Sequence, residues 1–256
     1  MSKRPLILVT NDDGITSKGI RTLIEVAKEH GEVIVVAPDS PQSGMGHAIT
    51  IGETLRLDSE DIFPGIRAYK CSGTPVDCVK MANHIILKEI EPDLVVSGIN
   101  HGANSSISVI YSGTMSAAIE AAVEGIPAVG FSLCDYSMNA DFEHCKEYVS
   151  KIIGQVLKTR MPRGVALNVN IPAKGKKIKG IKICRQASAK WQENFDERKD
   201  PHGRTYYWMT GYFSNFDKGE DTDEYALSQN YISVVPCAFD LTAHHAVTIL
   251  NDEWDI

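Results

Sequence analysis

The sequence predicts an α/β protein: a Rossmann-like parallel sheet core with a C-terminal hairpin or arm extension. Three observations predict it. Short apolar runs alternate with helix-period segments over the first two thirds of the chain. Polar, glycine-bearing stretches follow directly on those runs, and the last quarter breaks the alternation. Strands alternating with helices imply right-handed βαβ units and a sheet covered on both faces.

Leu6 to Thr10 is apolar and continuous, as a strand buried on both faces should be. Residues 19–30 follow as a helix, with Ile20, Leu23, Ile24 and Ala27 on one face and Gly31 at its end. Val33 to Val36 is the next strand, closed by Pro38. The pattern continues as helix 76–89, strand 94–97, helix 113–124, strand 127–131, helix 141–158 and strand 165–169. From Trp191 to Gly219 charge, aromatics and turn residues dominate, and Thr205 to Met209 reads as a hairpin strand. A short helix near 223–228 and a strand at 231–235 come last. The pattern divides the chain into a core, 1–189, and an extension, 190–256, whose dense aromatics suit an oligomerisation arm.

Composition narrows the function classes. A chain of 256 residues buries roughly 70–75% of its unfolded surface, so it needs no covalent staples. Its 26 basic and 33 acidic residues give a formal charge of −7, which argues against a nucleic-acid polymer as partner because that needs a basic face. A small phosphorylated ligand stays compatible, since a bound cation can supply positive charge locally. The six cysteines are scattered without a C-x-x-C pair, the pattern of reduced thiols. The apolar run near the N-terminus is too short for a signal segment, and no run approaches a membrane span. The expectation is a soluble, cytoplasmic protein with no membrane contact.

In parallel α/β sheets, ligands bind outside the carboxyl ends of the strands, and three polar clusters fall there. Thr10-Asn11-Asp12-Asp13-Gly14 follows the first strand. Adjacent carboxylates repel unless a cation lies between them, and hard cations such as Mg²⁺ and Mn²⁺ favour oxygen ligands. The competing reading is a turn in which either Asp caps the next helix. Ala37 to His47 is long, polar and glycine-bearing, suited to reaching over a site and equally to a solvated loop. Ser97 to Asn104 leads into Tyr111-Ser112-Gly113-Thr114, where a helix opens. That helix start offers N–H groups and hydroxyls to an anion, or is a well-capped turn and no more. Asn100 and Asn104 are neutral oxygen donors, fit for a metal shell or a ribose. A fourth stretch, Cys71 to Asp77, carries Thr74 and Pro75 where a helix start wants them.

At these residues the sequence resembles the SurE family of stationary-phase survival proteins, metal-dependent 5'/3'-nucleotidases and acid phosphatases. The matching stretches are Ile7 to Gly14 (ILVTNDDG), Val36 to Thr50 with Ser43-Gly44, Gly73 to Val79 (GTPVDCV), Ser97 to Asn104 (SGINHGAN) and Ser112 to Ala117 (SGTMSA). Thr222-Asp223 followed by Tyr231-Ile232-Ser233-Val234 also fits, so the likeness spans almost the whole chain. It implies one divalent ion, Mg²⁺ or Mn²⁺, held by Asp12, Asp13, Ser43 and Asn100. It implies a phosphate pocket of Ser112, Gly113 and Thr114, with Asn104 nearby. The implied substrates are nucleoside 5'-monophosphates, with 3'-monophosphates a further class, and the implied assembly is a homodimer or homotetramer through a swapped C-terminal arm. Two departures touch the extension: Ser228-Gln229-Asn230 stands where the family usually has glycine before Tyr231, and Val235-Pro236 where Thr-Pro is usual.

The chemistry so implied is in-line attack of a metal-activated water on a phosphate monoester, with Asp12 or Asp13 as base. A haloacid-dehalogenase-type phosphatase needs an Asp two positions before Asp13, where this chain has Asn11, which cannot form an aspartyl phosphate. A non-catalytic nucleotide-binding regulator leaves the paired carboxylates repelling their own ligand. A dinucleotide dehydrogenase lacks its G-x-G-x-x-G after the first strand.

Overall fold

The computed structural model describes residues 4–254 apart from Glu89, Met138, Arg160 and Lys176. Strand β1 (Leu6–Thr10) is buried at every position, and the alternation of its side chains decides the layers. Ile7 and Val9 pack with helices α1 (Lys18–His30) and α4 (Lys146–Lys158), while Leu6 and Leu8 face α2 (Pro75–Met81) and α3 (Gly113–Val123). Each fully buried Leu or Ile contributes about 1.5–3 kcal/mol. This is why β1 reads as a continuous apolar run with no polar face.

Helix α1 starts where Ser17 caps the N–H of Ile20 and stops at Gly31. Helix α2 opens with a capping box in which Thr74 and Asp77 satisfy each other's backbone N–H groups, with Pro75 in the first turn. The helix predicted over 76–89 is α-helical only to Met81 and continues as a wider π-helical turn through Leu87; Glu89 lies outside the described residues. The helix predicted over 141–158 begins as α-helix only at Lys146, after a 3-10 turn at 143–145.

Among the described residues, nine strands form one sheet in the order β3-β4-β2-β1-β5-β6-β7-β11-β8. The added strands are β2 (Glu32–Pro38), β3 (Leu57–Glu60), β4 (Arg67–Cys71), β5 (Leu94–His101), β6 (Ala128–Cys134), β7 (Val165–Pro172), β8 (Ile181–Ile183) and β11 (Ile232–Ala238). The run from β4 to β7 is parallel throughout. The edges depart from the predicted parallel sheet: β3 is antiparallel to β4 and β11 antiparallel to β7. Short, half-exposed edge strands such as β3 carry too few apolar positions to stand out in sequence.

The chain leaves β1 for β2 on one side and later returns to β5 on the other, so the order reverses at β1/β5. Crevices form at such reversals. Beyond the core, β9 (Ala189–Lys199) and β10 (Thr205–Asn215) make a separate two-stranded antiparallel arm, longer than the single strand 205–209 read from sequence. The boundary at 189/190 falls at the arm's root, but the chain afterwards re-enters the core sheet as β11. Between them lies α5 (Asp223–Ser228), and the chain closes with α6 (His244–Glu253), a helix that buries none of its residues. The departure at Asn230 has a plain reason. Its φ is +64°, a left-handed conformation that glycine or asparagine adopts most readily, and its side-chain nitrogen donates to the Lys177 carbonyl. Pro236 lies beyond the stretch of β11 paired with β8, where a missing N–H is tolerated. All six cysteines are free thiols, and no described helix is long and apolar enough to cross a membrane.

Candidate active site

The reversal point is where the sequence clusters converge. Thr10 at the end of β1 pairs with Ser97 on β5, so the loops after these strands are neighbours. Asn11 turns inward and donates to the Gly14 carbonyl (3.0 Å) and the Ser17 hydroxyl (2.9 Å), locking the 11–17 loop onto the cap of α1. Asp12, next in the chain, is buried, and Asp13 is half-buried. Asp12 is 3% exposed, and Gly113 packs so closely that a Cβ there would sit 2.7 Å from the Cβ of Asp12. Only glycine lets α3 approach the carboxylate this way.

Burial pushes the Asp12 carboxyl up to about 6; the Thr114 hydroxyl opposes the rise and the charge of Asp13 adds to it. The Asp13 carboxyl is raised as well, by burial, against a donated N–H from His101 at 3.2 Å. Two carboxylates thus crowd one spot with their ionised forms disfavoured. A cation placed between them would favour the ionised forms again.

The third ligand candidate arrives through an irregularity. Between Ser97 and Asn100 the register of β5 against β6 shifts, so that Gly98 and Ile99 oppose Phe131 alone. Gly98 has φ +123°, and a Cβ there would lie 2.3 Å from the Phe131 carbonyl oxygen. The bulge carries the strand on to His101, past the predicted end at 97, and re-aims Asn100. Asn100 is buried and its amide nitrogen donates to the Gly102 carbonyl (2.8 Å), which leaves its oxygen for another partner. Ser43 is exposed, in a loop fastened one residue earlier by the Gln42 N–H to the Asp12 carbonyl (2.7 Å). Farther on, the Gly46 N–H bonds the Tyr111 carbonyl (3.2 Å), so the loop bridges the first and third clusters.

The oxygen-only set Asp12, Asp13, Ser43 and Asn100 fits a hard divalent cation such as Mg²⁺ or Mn²⁺. It holds only two carboxylates, and among the described residues no group of three or more His, Cys, Asp or Glu side chains is placed to hold a metal. A soft-metal or zinc-type centre does not fit these donors.

Ser112 caps α3 by accepting the Met115 N–H (3.0 Å), and Thr114 is fully buried with its hydroxyl 2.5 Å from Asp12 Oδ1. Thr114 therefore stands behind the carboxylate, a link that no sequence spacing suggests. Asn104 joins a buried amide network: its side-chain nitrogen donates to Ser132 Oγ, its N–H to Asn170 Oδ1, and its carbonyl accepts from Asn168, each at 2.8 Å. Ser132, Asn168 and Asn170 escaped the sequence reading, although polar residues inside otherwise apolar β6 and β7 were the available signal. Also unforeseen is Glu120 of α3, buried, which takes Lys80 of α2 and His47 of the Ser43 loop at once.

Comparison with known proteins gives the family. A family model described as Survival protein SurE matches residues 7–193. A protein named 5'-nucleotidase SurE from Cytophaga hutchinsonii is 68% identical over 99% of this chain and 98% of its own length. One of the same name from Bacteroides fragilis is 43% identical over 100% of this chain and 99% of its own. The crystal structure of the SurE protein from Aquifex aeolicus superposes with a TM-score of 0.83 at 38% identity, covering 98% of this chain and 100% of that one.

Proposed function

The chain belongs to the SurE family, and from that premise we propose that it is a divalent-metal-dependent 5'-nucleotidase, releasing phosphate from nucleoside 5'-monophosphates and, as a further substrate class, from 3'-monophosphates. The observation that carries this reading is the Asp12-Asp13 pair at the β1/β5 reversal, backed directly by the N-terminus of α3.

A divalent cation held by Asp12, Asp13, Ser43 and Asn100 would supply charge neutralisation to phosphate oxygens and acidity to an attacking water. The chain's own residues do the rest. Gly113 in the first turn of α3 would offer its N–H, and Ser112 its hydroxyl proton, to an anion at the positive dipole end; the Ser112 N–H itself is donated to the Val109 carbonyl (3.4 Å). Thr114 holds Asp12 in one orientation by its hydroxyl. Asp13, the more open of the pair, lines a surface hollow with His101 and Lys18 and can accept a proton from water there. Asn104, fixed by Ser132 and Asn168, would lie near the phosphate.

The deciding experiment is phosphate release from a panel of 5'- and 3'-nucleoside monophosphates, before and after chelation and with Mg²⁺ or Mn²⁺ restored. The expected result is turnover that vanishes with chelator and returns with metal. Undiminished turnover in chelator would remove the metal, and no release from any nucleotide would remove the activity.

A further inference from the structure

We propose that Glu120, acting through His47, is a positioning residue for the divalent cation: it fixes the turn that carries Ser43 against α3 and so sets how tightly the ion is held. The proposal rests on the metal reading above, in which Ser43 is a ligand, and gives a role to a carboxylate outside the ligand set. Residues 39–56, between β2 and β3, contain no helix or strand. Apolar burial holds little of this stretch, since Met45, Ile49 and Ile51 are all exposed. A serine hydroxyl is a neutral ligand, and a ligand constellation works only when held within roughly 0.5 Å of its geometry. Something other than apolar packing must therefore fix Ser43.

Polar contacts divide the loop into two limbs. In the far limb, Thr74 Oγ1 donates to the Ala48 carbonyl (2.8 Å), and buried Asp77 accepts the N–H and the hydroxyl of Thr50 at 3.1 and 2.6 Å. In the near limb, Ser43 sits inside a turn closed by the Met45 N–H to the Gln42 carbonyl (3.4 Å). Upstream, that turn is tied by the Gln42 N–H to the Asp12 carbonyl. Downstream it is tied twice: the Gly46 N–H donates to the carbonyl of Tyr111, the residue before the α3 cap, and His47 Nε2 donates to Glu120 Oε2 (2.8 Å). Of these near-limb ties only the last is made by side chains, so it alone can be removed by substitution.

Glu120 suits the role because it is itself fixed. Gly113 and Glu120 stand about two turns apart in α3 and so share a face; the face that presses on Asp12 also receives the loop. The Glu120 side chain is 5% exposed and its two oxygens are divided: Oε1 takes the Lys80 ammonium from α2, and Oε2 takes His47. A carboxylate buried this far keeps its donors, because losing one leaves a desolvated charge only part-paired. The tie is thus held from the helix side, and His47, 39% exposed, is the movable partner.

The test measures Mn²⁺ binding to the full-length protein by calorimetry, without substrate, in wild type and in His47→Ala, His47→Gln, Glu120→Ala and Lys80→Met, with a thermal melt of each. The expected result is a Kd for Mn²⁺ raised about 10- to 100-fold in His47→Ala and Glu120→Ala, the scale for losing a group that orients a ligand. His47→Gln, whose amide nitrogen stands where Nε2 did, should bring Kd back toward that of wild type. Lys80→Met removes the other partner of Glu120 without touching the loop; it should lower the melting temperature and leave Kd unchanged. Should Glu120→Ala fail to fold, the two substitutions at exposed His47 decide by themselves. Unaltered Mn²⁺ affinity in His47→Ala, or an equal weakening in Lys80→Met, overturns the positioning role while leaving the metal reading standing. A wild-type protein that binds no Mn²⁺ overturns both.

Discussion

Asp12 and Thr114 lie far apart in sequence and meet in a single short hydrogen bond at the centre of the site. The bond matters because Asp12 is almost wholly desolvated, and a buried carboxylate without donors is expensive to ionise. Asp12→Asn or Asp13→Asn should each lower nucleotide turnover by more than about 100-fold, the scale of losing one preorganised electrostatic contact. Both proteins should stay folded, because an asparagine still offers a carbonyl oxygen to Thr114 or to the His101 N–H. Thermal melts alongside phosphate release check this, and normal turnover by both variants would remove the central assignment. Thr114→Val keeps the volume and deletes the hydroxyl. Since the hydroxyl orients a proposed ligand, apparent metal affinity should weaken about 10- to 100-fold. Metal titration of activity decides, and a change confined to substrate KM would place Thr114 at the phosphate instead.

At the scale of elements, α3 is the hub that joins both ends of the site. Its first turn meets Asp12 through Gly113 and Thr114, and its last turns present Glu120 to Lys80 on α2 and to His47 (2.8 Å) in the Ser43 loop. Burial alone would raise the Glu120 carboxyl, yet hydrogen bonds from His47 and Lys80 outweigh it and hold the group below its ordinary value. A carboxyl lowered in the folded state stabilises the fold above its unfolded pKa, about 4.3. That stabilisation is lost as pH falls through the folded value. Lys80 and His47 are each more than a third exposed, so water screens the pair and Glu120→Gln should cost only about 1–2 kcal/mol at neutral pH. Denaturant unfolding at pH 7 and at pH 4 tests this: the gap between wild type and variant should narrow at the lower pH. A gap independent of pH would mean that the clamp is steric and not ionic.

At the scale of the whole molecule, the arm needs company. Two strands alone are marginally stable in water, yet β9 and β10 run eleven residues each, with Phe195, Tyr207, Trp208, Met209 and Tyr212 exposed. Aromatics of this kind anchor interfaces, and exchange of an arm between identical chains is a ready route to closed symmetry. The proposed assembly is a homodimer or homotetramer. Light scattering of the full chain should give two or four times 28.1 kDa, and replacing 192–212 with a short turn should give a monomer. Removing everything after 189 is a poorer test, because it also strips β11 from the core sheet. A full-length protein that is monomeric at micromolar concentration would end the proposal.

The sequence by itself determined the elements that act locally. Continuous apolar runs announced β1, β2 and β6; the 3.6-residue period announced α1 and α4; and adjacent aspartates after a buried strand marked the candidate site, because two charges at a sheet edge favour a counter-charge. The aromatic density between Trp191 and Phe213 marked the arm before its strands were known. What only the tertiary structure decided is who meets whom. Strand order set β1 between β2 and β5, and from that order alone come the closeness of Asp13 to His101 and of Asp12 to Thr114. The bulge at Gly98–Ile99, the amide cluster of Asn104, Asn168 and Asn170, and the Glu120 clamp were likewise out of reach. Propensity and periodicity act over a few residues, whereas these contacts join residues dozens of positions apart that become neighbours only when the sheet has chosen its order.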